Sequence, residues 1–183
     1  MSALLAVAAL AAPLAAEDFG PVVKTVALIY QGKTHFGVAC NFSNNRDRVA
    51  DLQRALPEGS TLTVVDVKHP MQVGPAASAM RQRGVELVAL MPRDTLIYDG
   101  SAHATALIGY LGDKVPAFGT TAAAIKNGCA LALGQGTNWE LMINPKFLDP
   151  NLKGVIGPVE GVPLLPISMG GSAALDFVAM TRR

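Results

Sequence analysis

Residues 61–91 have the sequence TLTVVDVKHPMQVGPAASAMRQRGVELVALM, and this stretch decides the predicted fold. Its two ends, 61–67 and 85–91, are short apolar runs rich in Val and Leu, a pattern typical of strands buried on both faces. The middle predicts a short helix over 76–83, which ends at Gly84 because glycine is the usual residue after a helix C-terminus. A strand, a helix and a second strand in this order predict a right-handed crossover between parallel strands.

The same alternation extends in both directions along the chain. Further strands are predicted at 22–30, 115–118 and 129–133, and further helices at 43–56, 101–111 and 120–126. Short apolar strands that alternate with helices predict an α/β fold with a mainly parallel sheet. We therefore expect a three-layer sandwich with a flavodoxin-like strand order 2-1-3-4-5, and a possible extra strand at 138–143.

The two ends of the chain differ from this pattern. Residues 1–16 are mostly Ala, Leu and Val and precede the first charges, which is typical of a signal peptide and too short for a membrane-spanning helix. We expect cleavage after Ala16, a periplasmic or secreted location, and no membrane-spanning segment afterwards. Residues 17–183 are interpreted as one domain, with a Pro/Gly-rich C-terminal extension from about 145 to 183 and a short closing helix over 172–180.

Composition and cysteine content reduce the number of ligands and partners that the sequence supports. The 183 residues include 15 basic and 14 acidic side chains, a net charge of +1 without a basic run, so nucleic acid is not an expected partner. Export would allow a disulfide between Cys40 and Cys129, and two buried free thiols are the alternative. Two cysteines and three scattered histidines show no metal-ligand spacing.

Motifs for catalysis are incomplete. Gly32-Lys33-Thr34 resembles the end of a phosphate-binding loop, but Ala27 stands where that motif requires a glycine. Ser168 resembles a nucleophile at a sharp turn, but Pro166 replaces the first glycine of that motif and no histidine follows. The sequence shows no constellation of acid, base and nucleophile, and we interpret the chain as a protein that is not an enzyme and that has no cofactor.

The remaining functional signal is positional, because ligands bind at the carboxyl edge of open parallel sheets, where the strand order reverses. The loops predicted after strands one, three and four supply cationic, amide and hydroxyl groups, and two of them lead into helix starts that favour anions. The candidate ligand-binding residues are Gln31, Lys33, His35, Arg93, Asp94, Thr120 and Thr121. These groups predict a small carboxylate-bearing ligand. In the alternative, Arg93 and Asp94 form a surface pair and Thr120 caps a helix.

Three segments carry a family resemblance. GVELVALMPRD at 84–94, VPAFGTT at 115–121 and KNGCALALG at 126–134 resemble type I periplasmic substrate-binding proteins of ABC transporters. The stretch 115–148, which includes ELMIN at 140–144, is more weakly similar to YfiR-like periplasmic proteins. The first resemblance implies a Rossmann-like lobe that binds an amino acid or similar small molecule. This chain has only one such lobe, so tight capture would require two chains to pair.

Two functions therefore remain open at this stage. The first is an exported small-ligand-binding protein for an amino acid or organic acid, with two copies of the chain pairing as a homodimer. The second is a periplasmic regulatory module that contacts an envelope protein and binds no small ligand.

Overall fold

The computed structural model describes residues 19–135, 139–147 and 174–180. The α-helices in these ranges are α1 (Phe19–Ile29), α2 (Phe42–Ala55), α3 (Val73–Gln82), α4 (Ala102–Leu111) and α5 (Ala122–Lys126). The strands are β1 (His35–Cys40), β2 (Thr61–Asp66), β3 (Leu87–Ala89), β4 (Ala117–Gly119), β5 (Leu131–Gln135), β6 (Trp139–Ile143) and β7 (Ala174–Ala179). The predicted leader 1–16 and most of the predicted C-terminal extension lie outside the described residues. None of the helices in the described ranges combines the length and the apolar character needed to cross a bilayer.

The seven strands form one sheet in the order β6-β5-β4-β3-β1-β2-β7. All neighbouring strands are parallel except β5 and β6, which are antiparallel. The predicted α/β class and mainly parallel sheet are confirmed. The observed order contains 2-1-3-4-5 at its centre, but its first strand is His35–Cys40 and not the predicted 22–30. One further strand is added at each edge of the sheet. Strand β6 matches the predicted extra strand at 138–143.

Helices cover both faces of the sheet, as a three-layer sandwich requires. Buried side chains of α1 and α2 form one core with Phe36 and Val38 of β1. Buried side chains of α3, α4 and α5 form a second core with Ala39 and Val65, which point to the opposite face. The helix that follows β1, α2, therefore covers one face of the sheet, and the helix that follows β3, α4, covers the other face. This change of face defines the topological switch point, where the loops after the two strands diverge.

The prediction that residues 22–30 form the first strand is wrong, because this segment lies in α1. Four buried hydrophobic residues of α1 lie on one face of the helix, at the spacing i, i+3, i+4 and i+7. They are Phe19, Val22, Val23 and Val26. The β-branched content of this segment favoured a strand locally. Packing of this apolar face against the core overrides that preference.

The first strand is β1, which begins where the sequence predicted a loop. Its sequence HFGVAC contains Gly37, which weakens a strand signal. The fold needs this glycine, since a Cβ at position 37 would lie 2.8 Å from Cγ1 of Val85. Residues 31–34 consequently precede β1 and lie at the amino edge of the sheet.

The predicted C-terminal helix over 172–180 is also wrong. Residues 174–179 form β7, which pairs in parallel with β2 in a register that joins Thr61 to Ala174 and Val64 to Phe177. Pairing with a neighbouring strand is a tertiary contact that local sequence does not encode. It extends the sheet by one edge strand.

Both cysteines are free and buried, so of the two alternatives the structure shows the free thiols and not the disulfide. Cys40 ends β1 and packs in the core beneath α1 and α2, whereas Cys129 precedes β5 and packs in the other core. Three strand spacings of about 4.8 Å each separate β1 from β5, about 14 Å in all. A disulfide requires Cα atoms within about 7 Å of each other.

Candidate functional site

An open cleft of about 480 Å³ lies at the carboxyl edge of the sheet. One wall is the loop between β3 and α4, and the other is Thr121, the residue that precedes the first turn of α5. The lining residues are Pro92, Arg93, Asp94, Tyr98, Asp99 and Thr121. Three of the predicted ligand-binding residues, Arg93, Asp94 and Thr121, are therefore brought together. Thr120 is next to them, at the start of the second wall.

Asp94 organises the first wall. Its side chain is only 4% exposed, and its carboxylate accepts four hydrogen bonds. Oδ1 accepts from the backbone N–H of Asn41 at 3.0 Å and from Asn45 Nδ2 at 2.6 Å. Oδ2 accepts from the backbone N–H groups of Leu96 and Ile97, each at 2.8 Å. A carboxylate with four donors is satisfied within the protein, so Asp94 serves as a structural anchor of the loop.

The same contacts fill the crevice between β1 and β3, where the sequence predicted the ligand. Asn45 lies inside α2 with non-helical backbone angles, φ −127° and ψ 17°. Its amide donates to Asp94 and to the carbonyl of Asn41 at 2.9 Å, and its Oδ1 accepts from Arg48 Nη1 at 3.0 Å. These hydrogen-bonded side chains occupy the topological switch point between β1 and β3. The open cleft therefore lies one strand further along, between the loops after β3 and β4.

Arg93 has a positive φ of 58°, a conformation that favours glycine. For a residue with a Cβ, this left-handed conformation costs about 1–2 kcal/mol. The hydrogen bonds of the adjacent Asp94 hold the turn in this shape. They also leave the Arg93 side chain exposed at the rim of the cleft.

Asp99 joins the two walls, and the sequence prediction missed it. Its Oδ2 accepts from the backbone N–H of Thr120 at 2.9 Å and from the hydroxyls of Thr121 at 2.9 Å and Thr120 at 3.4 Å. Its Oδ1 is buried and has no hydrogen-bond partner. Burial raises the pKa of Asp99, and the threonine hydrogen bonds partly offset this effect. Asp99 is thus a carboxyl group with one saturated oxygen and one unpaired oxygen.

Gly119 makes room for this carboxyl group. A Cβ at position 119 would lie 2.7 Å from Asp99 Oδ1 and would also overlap the Cβ of Ala124. Glycine therefore allows the end of β4, the start of α5 and the Asp99 side chain to meet closely.

The loop is also fixed at its far end. Ser101 caps α4 by accepting from the backbone N–H of Ala104 at 3.0 Å, and its Oγ accepts from that of Tyr98 at 3.2 Å. Asn127 donates to the Ser101 carbonyl at 2.9 Å and accepts from the backbone N–H of Gly100. The wall that carries Tyr98 and Asp99 is therefore held on both sides of those residues.

The other predicted site residues, Gln31, Lys33 and His35, lie at the opposite edge of the sheet, about 20 Å away along the six residues of β1. Lys33 pairs with Glu86 at 3.9 Å. Glu86 also accepts from the backbone N–H groups of Thr34 and His35, and these contacts lower its pKa. His35 Nε2 is hydrogen-bonded to Thr63 Oγ1 at 2.8 Å. The structure assigns this trio to the amino edge and away from the cleft.

The cleft thus offers a guanidinium group, hydroxyl groups, an aromatic ring and a partly buried carboxyl group on two fixed walls. These groups can bind a small polar molecule by hydrogen bonding and ion pairing. The chain was compared with models of protein families, with curated proteins and with solved structures, and no significant match was found in any of the three comparisons.

Proposed function

We propose that this chain is an exported protein that binds a small polar ligand, such as an amino acid or an organic acid, in the cleft between the β3–α4 loop and α5. The observation that supports the proposal most strongly is the position of the cleft. It opens at the carboxyl edge of a parallel sheet, the edge at which such folds bind ligands. Asp94 anchors the β3–α4 loop, and Asp99 links this loop to Thr120 and Thr121 in the ligand-free protein.

The lining residues suggest how the ligand would be held. The exposed Arg93 guanidinium would bind a carboxylate, for which its planar geometry is suited. Thr121 would offer its hydroxyl, and the half-exposed ring of Tyr98 would cover an apolar part of the ligand. A cleft that is open on one side buries little of its ligand, so we expect weak binding unless a second copy of the chain closes over it.

A thermal-shift screen of the full chain against amino acids and small organic acids tests this proposal. At a free ligand concentration about 100 times Kd, binding stabilises the folded state by about 2.7 kcal/mol. For a chain of this size, the melting temperature should then rise by about 5–10 °C. The shift should disappear in a double variant, Arg93→Ala with Thr121→Ala.

The matched control is the double variant Gln31→Ala with Lys33→Ala, which changes two predicted site residues at the amino edge. It should retain the full ligand-dependent shift. Loss of the shift in this control, but not in the Arg93 and Thr121 variant, would place the ligand at the wrong edge for our proposal. A flat response to every ligand would reject small-ligand binding.

A regulatory protein-contact function is the second candidate. The observation that favours it is an aromatic surface on the edge strand β7, where Phe177 is 43% exposed. Its ring lies 4.9 Å from that of Phe42, and Arg46 stacks on Phe42 at 5.7 Å. Exposed aromatic and arginine side chains are enriched at protein interfaces. This candidate would gain support if no ligand shifts the melting curve.

A further inference from the structure

We propose that Asp99 is the positioning residue of the cleft, and that the charge on its carboxyl group controls how firmly the two walls are held together. The inference rests on the proposed use of the cleft for a ligand. It concerns the ligand-free protein, however, and can be tested without knowing the ligand.

The geometry places Asp99 at the junction of the walls. Its backbone belongs to the β3–α4 loop, and its Oδ2 accepts hydrogen bonds from Thr120 and Thr121 of the opposite wall. Gly119 supplies the space that lets the carboxyl group approach. Because Ser101 and Asn127 fix the loop beside Asp99, the Thr120–Thr121 side is the part that would move if these hydrogen bonds were lost.

The surroundings of the two Asp99 oxygens have opposite effects on the stability of the ionised carboxylate. Three donors stabilise a negative charge on Oδ2, while Oδ1 would carry its share of that charge in a buried position without a donor. Opening the cleft would let water reach Oδ1. The ionised carboxylate therefore gains more from opening than the neutral acid does.

The pH dependence follows from this difference. In the closed cleft, burial raises the pKa of Asp99, and in an open cleft the pKa would return toward the ordinary value of about 3.9. The state with the higher pKa binds the proton more tightly. Acidification should therefore favour the closed cleft, and rising pH should loosen it.

Other titratable groups lie in the cleft or on the elements beside it. Arg93, Asp94 and Tyr98 line the same cleft. The buried Cys129 thiol has a pKa that burial raises most and that the Asp99 charge raises further. Lys126 ends α5 and His103 lies in the first turn of α4. His103→Gln is included as a control for a second titratable side chain close to the β3–α4 loop.

Amide hydrogen exchange of the full chain, measured by NMR from about pH 7 to about pH 4, tests the proposal, because this range lies above the ordinary pKa of Asp. The readout is the protection factor of the Thr120 N–H, corrected for the intrinsic pH dependence of exchange and compared with Val64 in the buried strand β2. In the natural protein, protection at Thr120 should rise on acidification, because burial raises the pKa of Asp99 in the closed cleft. Protection at Val64 should not follow it.

Two substitutions separate position from charge. Asp99→Asn keeps an acceptor for Thr120, so its protection should persist but lose the pH dependence. Asp99→Ala removes the acceptor, and protection at Thr120 should fall at least about tenfold at every pH. The His103→Gln control should behave as the natural protein does.

The proposal would be overturned if Asp99→Asn kept the natural pH dependence, or if Asp99→Ala left protection at Thr120 unchanged. If Asp99→Ala does not fold, the comparison of Asp99→Asn with the natural protein decides the question alone. Because no ligand is present, these outcomes are independent of the thermal-shift screen. A failed screen with a pH-dependent Thr120 would reject the proposed ligand function but retain the role of Asp99.

Discussion

Asp94→Ala should destabilise the protein by about 3–5 kcal/mol, because it removes a buried carboxylate that accepts four hydrogen bonds. The backbone N–H groups of Asn41, Leu96 and Ile97 would lose their acceptor, as would the Asn45 side chain. Each buried donor left unsatisfied costs about 1–3 kcal/mol, and water entering the space left by the side chain would recover part of this loss. Urea-induced unfolding at neutral pH measures the change as a lower midpoint.

Asp47 provides the matched control, since it is an exposed aspartate on α2. Asp47→Ala should change the free energy of unfolding by no more than about 0.5 kcal/mol. If the two substitutions had equal effects, Asp94 would not be the anchor of the β3–α4 loop. The explanation for the closed switch point between β1 and β3 would then fail as well.

Val26→Asp should destabilise the protein by about 4 kcal/mol or more, because Val26 is fully buried in the face that α1 packs against the core. Leu28→Asp should cost less than about 1 kcal/mol, since Leu28 is 40% exposed on another side of the same helix. Residues two positions apart point to the same face of a strand but to different faces of a helix. The pair therefore distinguishes α1 from the strand that the sequence predicted at 22–30.

Thermal unfolding of both variants gives the comparison directly. We expect a large drop in melting temperature for Val26→Asp and a small one for Leu28→Asp. Similar drops in the two variants would support a strand in this segment and contradict the helix.

Local sequence signals predicted the central elements well. The βαβ unit at 61–91 was predictable because its strands are apolar and because Gly84, which has a φ of 73°, follows the end of its helix at Gln82. The helix predicted over 101–111 is observed at 102–111, and Ser101 caps it through its side chain. In these segments, local preference and tertiary structure agree.

The errors arose where tertiary contacts decide the structure. Strand β1 contains a glycine because Val85 packs against it, so its local strand signal is weak. Segment 22–30 has strand-like composition but buries one helical face. Strand β7 forms through pairing with β2, more than 100 residues away along the chain, and no local pattern reports that pairing.

The candidate site was predictable in part. The sequence placed Arg93, Asp94, Thr120 and Thr121 at strand ends, and the structure brings them to one edge. Because the first strand was predicted at the wrong segment, Gln31, Lys33 and His35 were expected at the carboxyl edge. They lie at the opposite edge, so only Arg93 of the two expected cations, Lys33 and Arg93, lines the cleft. Asp99 was missed because its role depends on a contact with Thr120, which lies 21 residues further along the chain.

The position of the cleft at the carboxyl edge, opposite Lys33, is tested most directly by a distance between two spin labels. The labels are placed at Lys33→Cys and Thr95→Cys, with Thr95→Cys and Thr121→Cys as the reference pair. All three positions lie outside the cores, and the natural cysteines are buried and should remain unlabelled. We expect about 20 Å or more for the first pair, because the length of β1 separates the two positions. The distance for the second pair should be clearly shorter. A first pair that is as close as neighbouring strands, within about 10 Å, would contradict the account.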